Sequence, residues 1–221
     1  MRRMLFLALL MAMVACTAGC AASTSKLDID SNSAYKQQTL QEKKDIPSAF
    51  IRNVTDGRVF SDGTGNPADP TPDIKSKEQR NITIGRKRGG FGNAWGSIVL
   101  KNEITVTGII RSALEKSLTD SGFMVIHDET AIDNNTFIIN CCITKFWNWM
   151  NLNFASLDLN TDIAARIQTS SSSEILIEVS EQLNVALATD SNIKKSIHNA
   201  MTKFGIAATE KFRELEHKST R

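Results

Sequence analysis

The stretches Leu157-Asp-Leu-Asn-Thr-Asp-Ile-Ala-Ala-Arg-Ile-Gln-Thr169 and Ile175-Leu-Ile-Glu-Val-Ser-Glu-Gln-Leu-Asn-Val-Ala-Leu187 decide the fold. Leu157, Leu159, Ile163, Ala165 and Ile167 alternate with Asp158, Asn160, Asp162, Arg166 and Gln168. Ile175, Ile177, Val179, Leu183, Val185 and Leu187 alternate with Glu174, Glu178, Gln182 and Asn184. A period of two held this long predicts strands with one dry and one wet face. The serine-rich break at Thr169–Ser173 predicts a long hairpin between them. Upstream, Phe137, Ile139, Cys141 and Ile143 share one face, and the same face is expected to continue to Trp147 and Trp149.

Two helical stripes flank this sheet. Val106, Ile109, Ile110, Ala113, Leu114 and Leu118 recur at i, i+3, i+4 and i+7 over Thr105–Asp120, with Gly122 as the stop signal. Ile193, Ile197, Ala200, Met201, Phe204, Ala208 and Phe212 form a second stripe over about Ser191–Glu216, with Asp190 or Ser191 as the expected N-cap. A first strand is expected within Ser48–Phe60, and Phe123–Ile126 adds a short one. The fold class is therefore α+β: a two-layer sandwich, an antiparallel sheet of about four to five strands with two amphipathic helices on one face.

The N-terminus carries an export pattern. Arg2 and Arg3 precede the apolar run Met4–Ala15, whose twelve residues fall short of the ~20 needed to span a bilayer. Small residues and a cysteine follow in Thr17-Ala18-Gly19-Cys20. This resembles a lipoprotein signal-peptidase site, with threonine where leucine is usual. Met13-Val14-Ala15-Cys16 is the alternative. The expected organisation is a signal peptide over 1–19, a flexible tether over 20–46 rich in Ser, Thr, Lys, Gln and Asp, and a single α+β domain over 47–221. Cys20, or Cys16 in its place, would carry diacylglycerol and an N-acyl chain, a stable membrane anchor. Ala21 rather than Asp after Cys20 favours the periplasmic face of the outer membrane by the usual lipoprotein sorting rule.

Charge excludes one class of partner. Lys+Arg number 26 and Asp+Glu 24. Removal of Arg2 and Arg3 leaves 24 of each, so no general attraction to nucleic acid is expected. Cys141 and Cys142 are adjacent, without CxxC spacing, and read as free buried thiols. His127, His198 and His217 lack metal-ligand spacing, and HExxH and GxSxG are absent from the sequence.

Two segments remain as interaction candidates. Gly85-Arg-Lys-Arg-Gly-Gly-Phe-Gly-Asn-Ala-Trp-Gly96 is expected to be a loop. In it Arg86, Lys87 and Arg88 are basic groups and Phe91 and Trp95 apolar anchors. It matches neither the P-loop nor the dinucleotide pattern. Trp147 and Trp149, at a strand end, could form an exposed aromatic ledge.

The segment Ile109-Ile-Arg-Ser-Ala-Leu-Glu-Lys-Ser-Leu-Thr-Asp-Ser-Gly-Phe-Met-Val125 resembles the helix and following strand of the YajG-type bacterial lipoproteins. Val54-Thr-Asp-Gly-Arg58, with the pair of long strands before a terminal helix, sits in matching order. The resemblance implies an envelope lipoprotein and carries no catalytic residue over. The expected function is a non-enzymatic accessory subunit that binds an envelope protein partner, with no cofactor beyond the lipid. The alternative is a small-ligand or glycan-binding module built on the basic loop.

Overall fold

The two long alternating runs do form a hairpin. A computed structural model describes residues 24–29, 46–61, 69–72, 74–88, 93–101, 103–154, 156–170 and 174–219, with side chains to 215. Its strands are β1 (Ser25–Leu27), β2 (Ser48–Asp56), β3 (Thr83–Arg88), β4 (Ala94–Leu100), β5 (Met124–Ile126), β6 (Phe137–Leu152), β7 (Leu157–Thr169) and β8 (Glu174–Val185). The helices are α1 (Lys77–Ile82), α2 (Val106–Asp120) and α3 (Asp190–Ser219). One sheet has the order β5-β2-β6-β7-β8 and a second the order β1-β4-β3. The class is α+β, as the patterning predicts.

The antiparallel expectation holds for β6, β7 and β8. It does not extend to β2, which pairs parallel with both β5 and β6. Between β2 and β5 the chain crosses over through α2, and a crossover of that kind returns a strand in the same direction. Alternation within one strand carries no record of its neighbour's direction.

The tryptophan face is also corrected. Pairing of β6 with β7 slips between Ile143 and Lys145. A bulge inserts one residue and reverses every side chain beyond it. Ile139, Cys141 and Ile143 point into the core before the slip; Phe146 and Met150 do so after it, opposite Ile163 and Leu159. Trp147 and Trp149 therefore face the other way.

Two further segments depart from expectation. Ser25–Leu27, inside the stretch expected to be tether, is a strand parallel to β4, with Leu27 fully buried. A three-residue strand is too short to show a period. The basic segment 86–88 belongs to strand β3, antiparallel to β4, not to a loop.

The helices behave as their stripes predict. Ile109, Ile110, Leu114 and Leu118 of α2, and Ile193, Ile197, Phe204, Ala208 and Phe212 of α3, are at most 1% exposed. Thr105 caps α2 by accepting from the Gly108 N–H at 3.1 Å. Gly122 ends it at φ 95°, a conformation that suits glycine. In α3 the capping hydroxyl belongs to Thr189, which accepts from the Asn192 N–H at 3.2 Å. That is one residue earlier than Asp190.

Where the helices meet, Ser117 Oγ donates to Gly205 O at 3.2 Å and Ser121 Oγ to Thr209 O at 3.0 Å. Two hydroxyls four residues apart meet two carbonyls four residues apart in the same order, so α2 and α3 run parallel.

The second sheet meets the first at one point of extreme closeness. A Cβ on Gly85 of β3 would lie 1.8 Å from Asn148 O and 2.9 Å from the Asn148 carbonyl carbon in β6. Backbone meets backbone there, so no rotamer change could relieve a side chain. Gly85→Ala is expected to destabilise the domain by about 3 kcal/mol or more, since overpacking of this kind is at the costly end of its range. Urea unfolding of the variant would check this. A change under about 1 kcal/mol would mean that the two strands separate easily.

Candidate functional site

β2 pairs with β6 only as far as Ile143. Beyond it, β3 runs beside β6 without joining its ladder. The gap is filled by Arg58, which is 5% exposed and two residues past the end of β2. Its Nε and Nη2 grip the Asp56 carboxylate at 2.9 and 2.8 Å. Nη1 donates to Thr83 O of β3 at 2.9 Å and to Phe146 O of β6 at 3.0 Å. Nη2 also donates to Arg80 O of α1 at 2.7 Å. Arginine has five N–H groups, and all five are used. One planar group thereby links two sheets and a helix.

Aromatic rings close the two open faces. The guanidinium carbon lies 4.6 Å from the Trp147 ring centroid and 5.0 Å from that of Phe60. The two rings meet edge to face at 5.0 Å. Arg80 covers the Phe60 ring from 5.2 Å. Trp147 is only 5% exposed, so it is part of this cluster and not an exposed ledge. The bulge turned it away from the core, and the chain following β2 folded over it. Trp149 remains half-buried, its indole Nε1 without a partner. It lines an open groove of about 520 Å³ with Asn160, Asp162, Ser180 and Lys203.

The basic residues of β3 are structural neighbours of this cluster. Lys87 is 1% exposed and Arg88 2%. Arg88 donates from Nε to Asp69 O at 2.9 Å and from Nη2 to Thr71 O at 3.0 Å, pinning the chain that leads to α1. Arg86 is half-buried, with an unpartnered Nε. Trp95 packs against the core. Three consecutive basic residues suggest a solvated surface, yet Lys87 and Arg88 lie inside the fold. Phe91, Cys16 and Cys20 lie outside the described residues.

Other reactive groups stand apart. Cys141 and Cys142 are free thiols. Burial, reinforced by the neighbouring Cys142, pushes the Cys141 thiol up to about 12, which makes it a poor nucleophile at neutral pH. His127 is exposed, 3.8 Å from Glu115. Among the described residues no three His, Cys, Asp or Glu side chains converge on a possible metal position. Nor is any described helix long and apolar enough to cross a membrane.

No family model and no curated protein matches the chain. Solved structures similar to it include a Xanthomonas campestris protein of family DUF330, at 8% identity and TM-score 0.49. That alignment covers 90% of this chain and 98% of the other. A minor lipoprotein from Acinetobacter baumannii aligns at 12% identity and TM-score 0.35, over 48% of this chain and 83% of its own. Both scores lie below 0.5, and neither likeness carries an argument about activity.

The Asp56–Arg58 pair was half legible. Asp-Gly-Arg after a strand stands out in sequence, but its partners at Thr83, Arg80 and Phe146 carry no local signal. Replacing Arg58 with lysine keeps the charge and loses the fork. Replacing it with methionine orphans Asp56 and the carbonyls. Each is expected to cost about 3 kcal/mol or more, the range for breaking a buried pair. Denaturant midpoints, read at constant m-value, check this. A loss below about 1 kcal/mol for both variants would show that the guanidinium is dispensable.

Proposed function

We propose that this chain is a bacterial envelope lipoprotein, anchored by lipid on Cys20, whose α+β domain is a non-enzymatic accessory that docks an envelope protein. The observation that carries the reading is the N-terminal segment. Two arginines, a twelve-residue apolar run and a small-residue approach to Cys20 form an export signal with a lipid acceptor at its end. The run is too short to serve as a spanning helix. YajG-type membership and a place on the periplasmic face of the outer membrane, the latter from Ala21, are the finer parts of the same proposal.

The domain's chemistry is in keeping with this role. Arg58 directs every donor at protein acceptors. Lys87 and Arg88 lie inside the fold, which leaves the alternative of a basic loop for a small ligand with little exposed charge.

The test is Cys20→Ser in the native host, followed by intact mass and membrane fractionation. The parent chain is expected to carry diacylglycerol and an N-acyl chain and to sediment with membranes. The variant should lose both properties. If Cys16→Ser is instead the variant that removes the lipid, the Cys20 assignment falls and the lipoprotein reading is kept with its anchor four residues earlier. An unlipidated parent with residues 1–19 intact would refute it.

A further inference from the structure

Three features gather at one end of the molecule. The first is the β6–β7 hairpin tip. Leu152 pairs with Leu157, which pairs in turn with Val185, so the ends of β6, β7 and β8 lie side by side. Phe154 stands on this tip fully exposed, with Leu152 44% exposed beside it. The second is Leu187, just past β8 and 49% exposed. Its carbonyl is held by Thr189 N at 3.0 Å and by Asn192 Nδ2 at 2.9 Å. The third is the start of β1: Ser25 Oγ donates to Asp190 Oδ1 at 2.6 Å, at the head of α3.

The tip is held in shape rather than left loose. The Asp158 carboxylate accepts from Asn153 Nδ2 at 2.9 Å and from Asn184 Nδ2 at 2.7 Å, which ties the turn to β8. Asn153 N also donates to Ser156 O at 2.9 Å. A large aromatic side chain is therefore presented outward on a braced turn. Among the described residues nothing covers it.

The length of chain ahead of β1 says what does. Ser25 lies five Cα–Cα steps after Cys20. At about 3.4 Å per step that is a reach of at most about 17 Å. From Cys16 the reach is about 30 Å. A lipid on Cys20 thus holds the bilayer surface within a short distance of the end that carries Leu152, Phe154 and Leu187. Were the tether to run on to residue 46, as the sequence suggests, the domain would be free to turn; pairing of β1 with β4 removes that freedom.

We propose that this end of the domain is its membrane-facing surface, with Phe154 and Leu152 entering the lipid headgroup region beside the lipidated N-terminus. The inference rests on the lipoprotein reading above. Aromatic and aliphatic side chains at the acyl boundary are favoured there. The orientation follows: the start of β8, about 36 Å away along the strand, faces away from the bilayer and toward the periplasm.

The test uses the full lipidated chain, with Cys142→Ser and an environment-sensitive fluorophore on Phe154→Cys. A second sample carries the fluorophore on Leu176→Cys, 55% exposed near the start of β8. Both are reconstituted into phosphatidylethanolamine–phosphatidylglycerol vesicles containing acyl-chain nitroxide lipids, and intact mass establishes lipidation. The expected result is a blue shift and several-fold stronger quenching at position 154 than at 176, only when vesicles are present. Equal quenching at both positions in lipidated protein overturns the orientation and leaves the anchor standing. A blue shift at 154 before vesicles are added also overturns it, because a second copy or another protein then covers the tip. An unlipidated chain removes the reading on which the inference rests.

Discussion

Where β2 ends, the carbonyls of Phe146 and Thr83 face one another across a gap that neither strand's N–H groups can fill. Buried carbonyls without donors cost free energy, and the Arg58 fork satisfies both. A lysine could not hold that geometry, because its ammonium is a point charge. Asp56 neutralises the guanidinium two residues away, and Trp147 and Phe60 exclude water from its faces. This one side chain therefore decides how the three-stranded sheet sits on the five-stranded one. The close approach of Gly85 to Asn148 and the docking of α1 both depend on it.

The bulge in β6 is the second half of the same arrangement. Without the slip between Ile143 and Lys145, Trp147 would point into the core and Phe146 away from it. The Trp147 ring that covers Arg58 would then be absent, and a gap would open in the core, where Phe146 and Met150 now sit. Slip and arginine work as a unit: one turns the tryptophan outward, the other gives it a partner. The parallel helices close the opposite side through hydroxyl-to-carbonyl contacts that let α2 and α3 approach at Gly205.

Much of this was legible in the sequence, and what was not shares a cause. The stripes of α2 and α3 and the hairpin of β7 and β8 are local periodicities, and each residue named from them on α3 is buried. The direction of β2 and the slip in β6 depend on which strand lies alongside, which one strand's pattern does not encode. The run Arg86–Arg88 misleads for a different reason. Cations are rarely buried, so three in a row suggest water; here at least Arg88 finds carbonyl oxygens of the chain that it pins. Strand β1 is too short to announce itself. Yet it places folded chain at Ser25–Leu27, within the stretch expected to be tether.

With Arg58 as the joint, the two sheets are expected to unfold as one cooperative body. Native-state hydrogen exchange tests it most directly. The amides of β3, Thr83–Arg88, are expected to open with the same free energy as those of β6, Phe146–Met150, both reporting global unfolding. If β3 and β4 instead exchange through a separate opening of much lower free energy while β6 stays protected, the sheets are only loosely joined. The guanidinium would then be a local contact and not the joint.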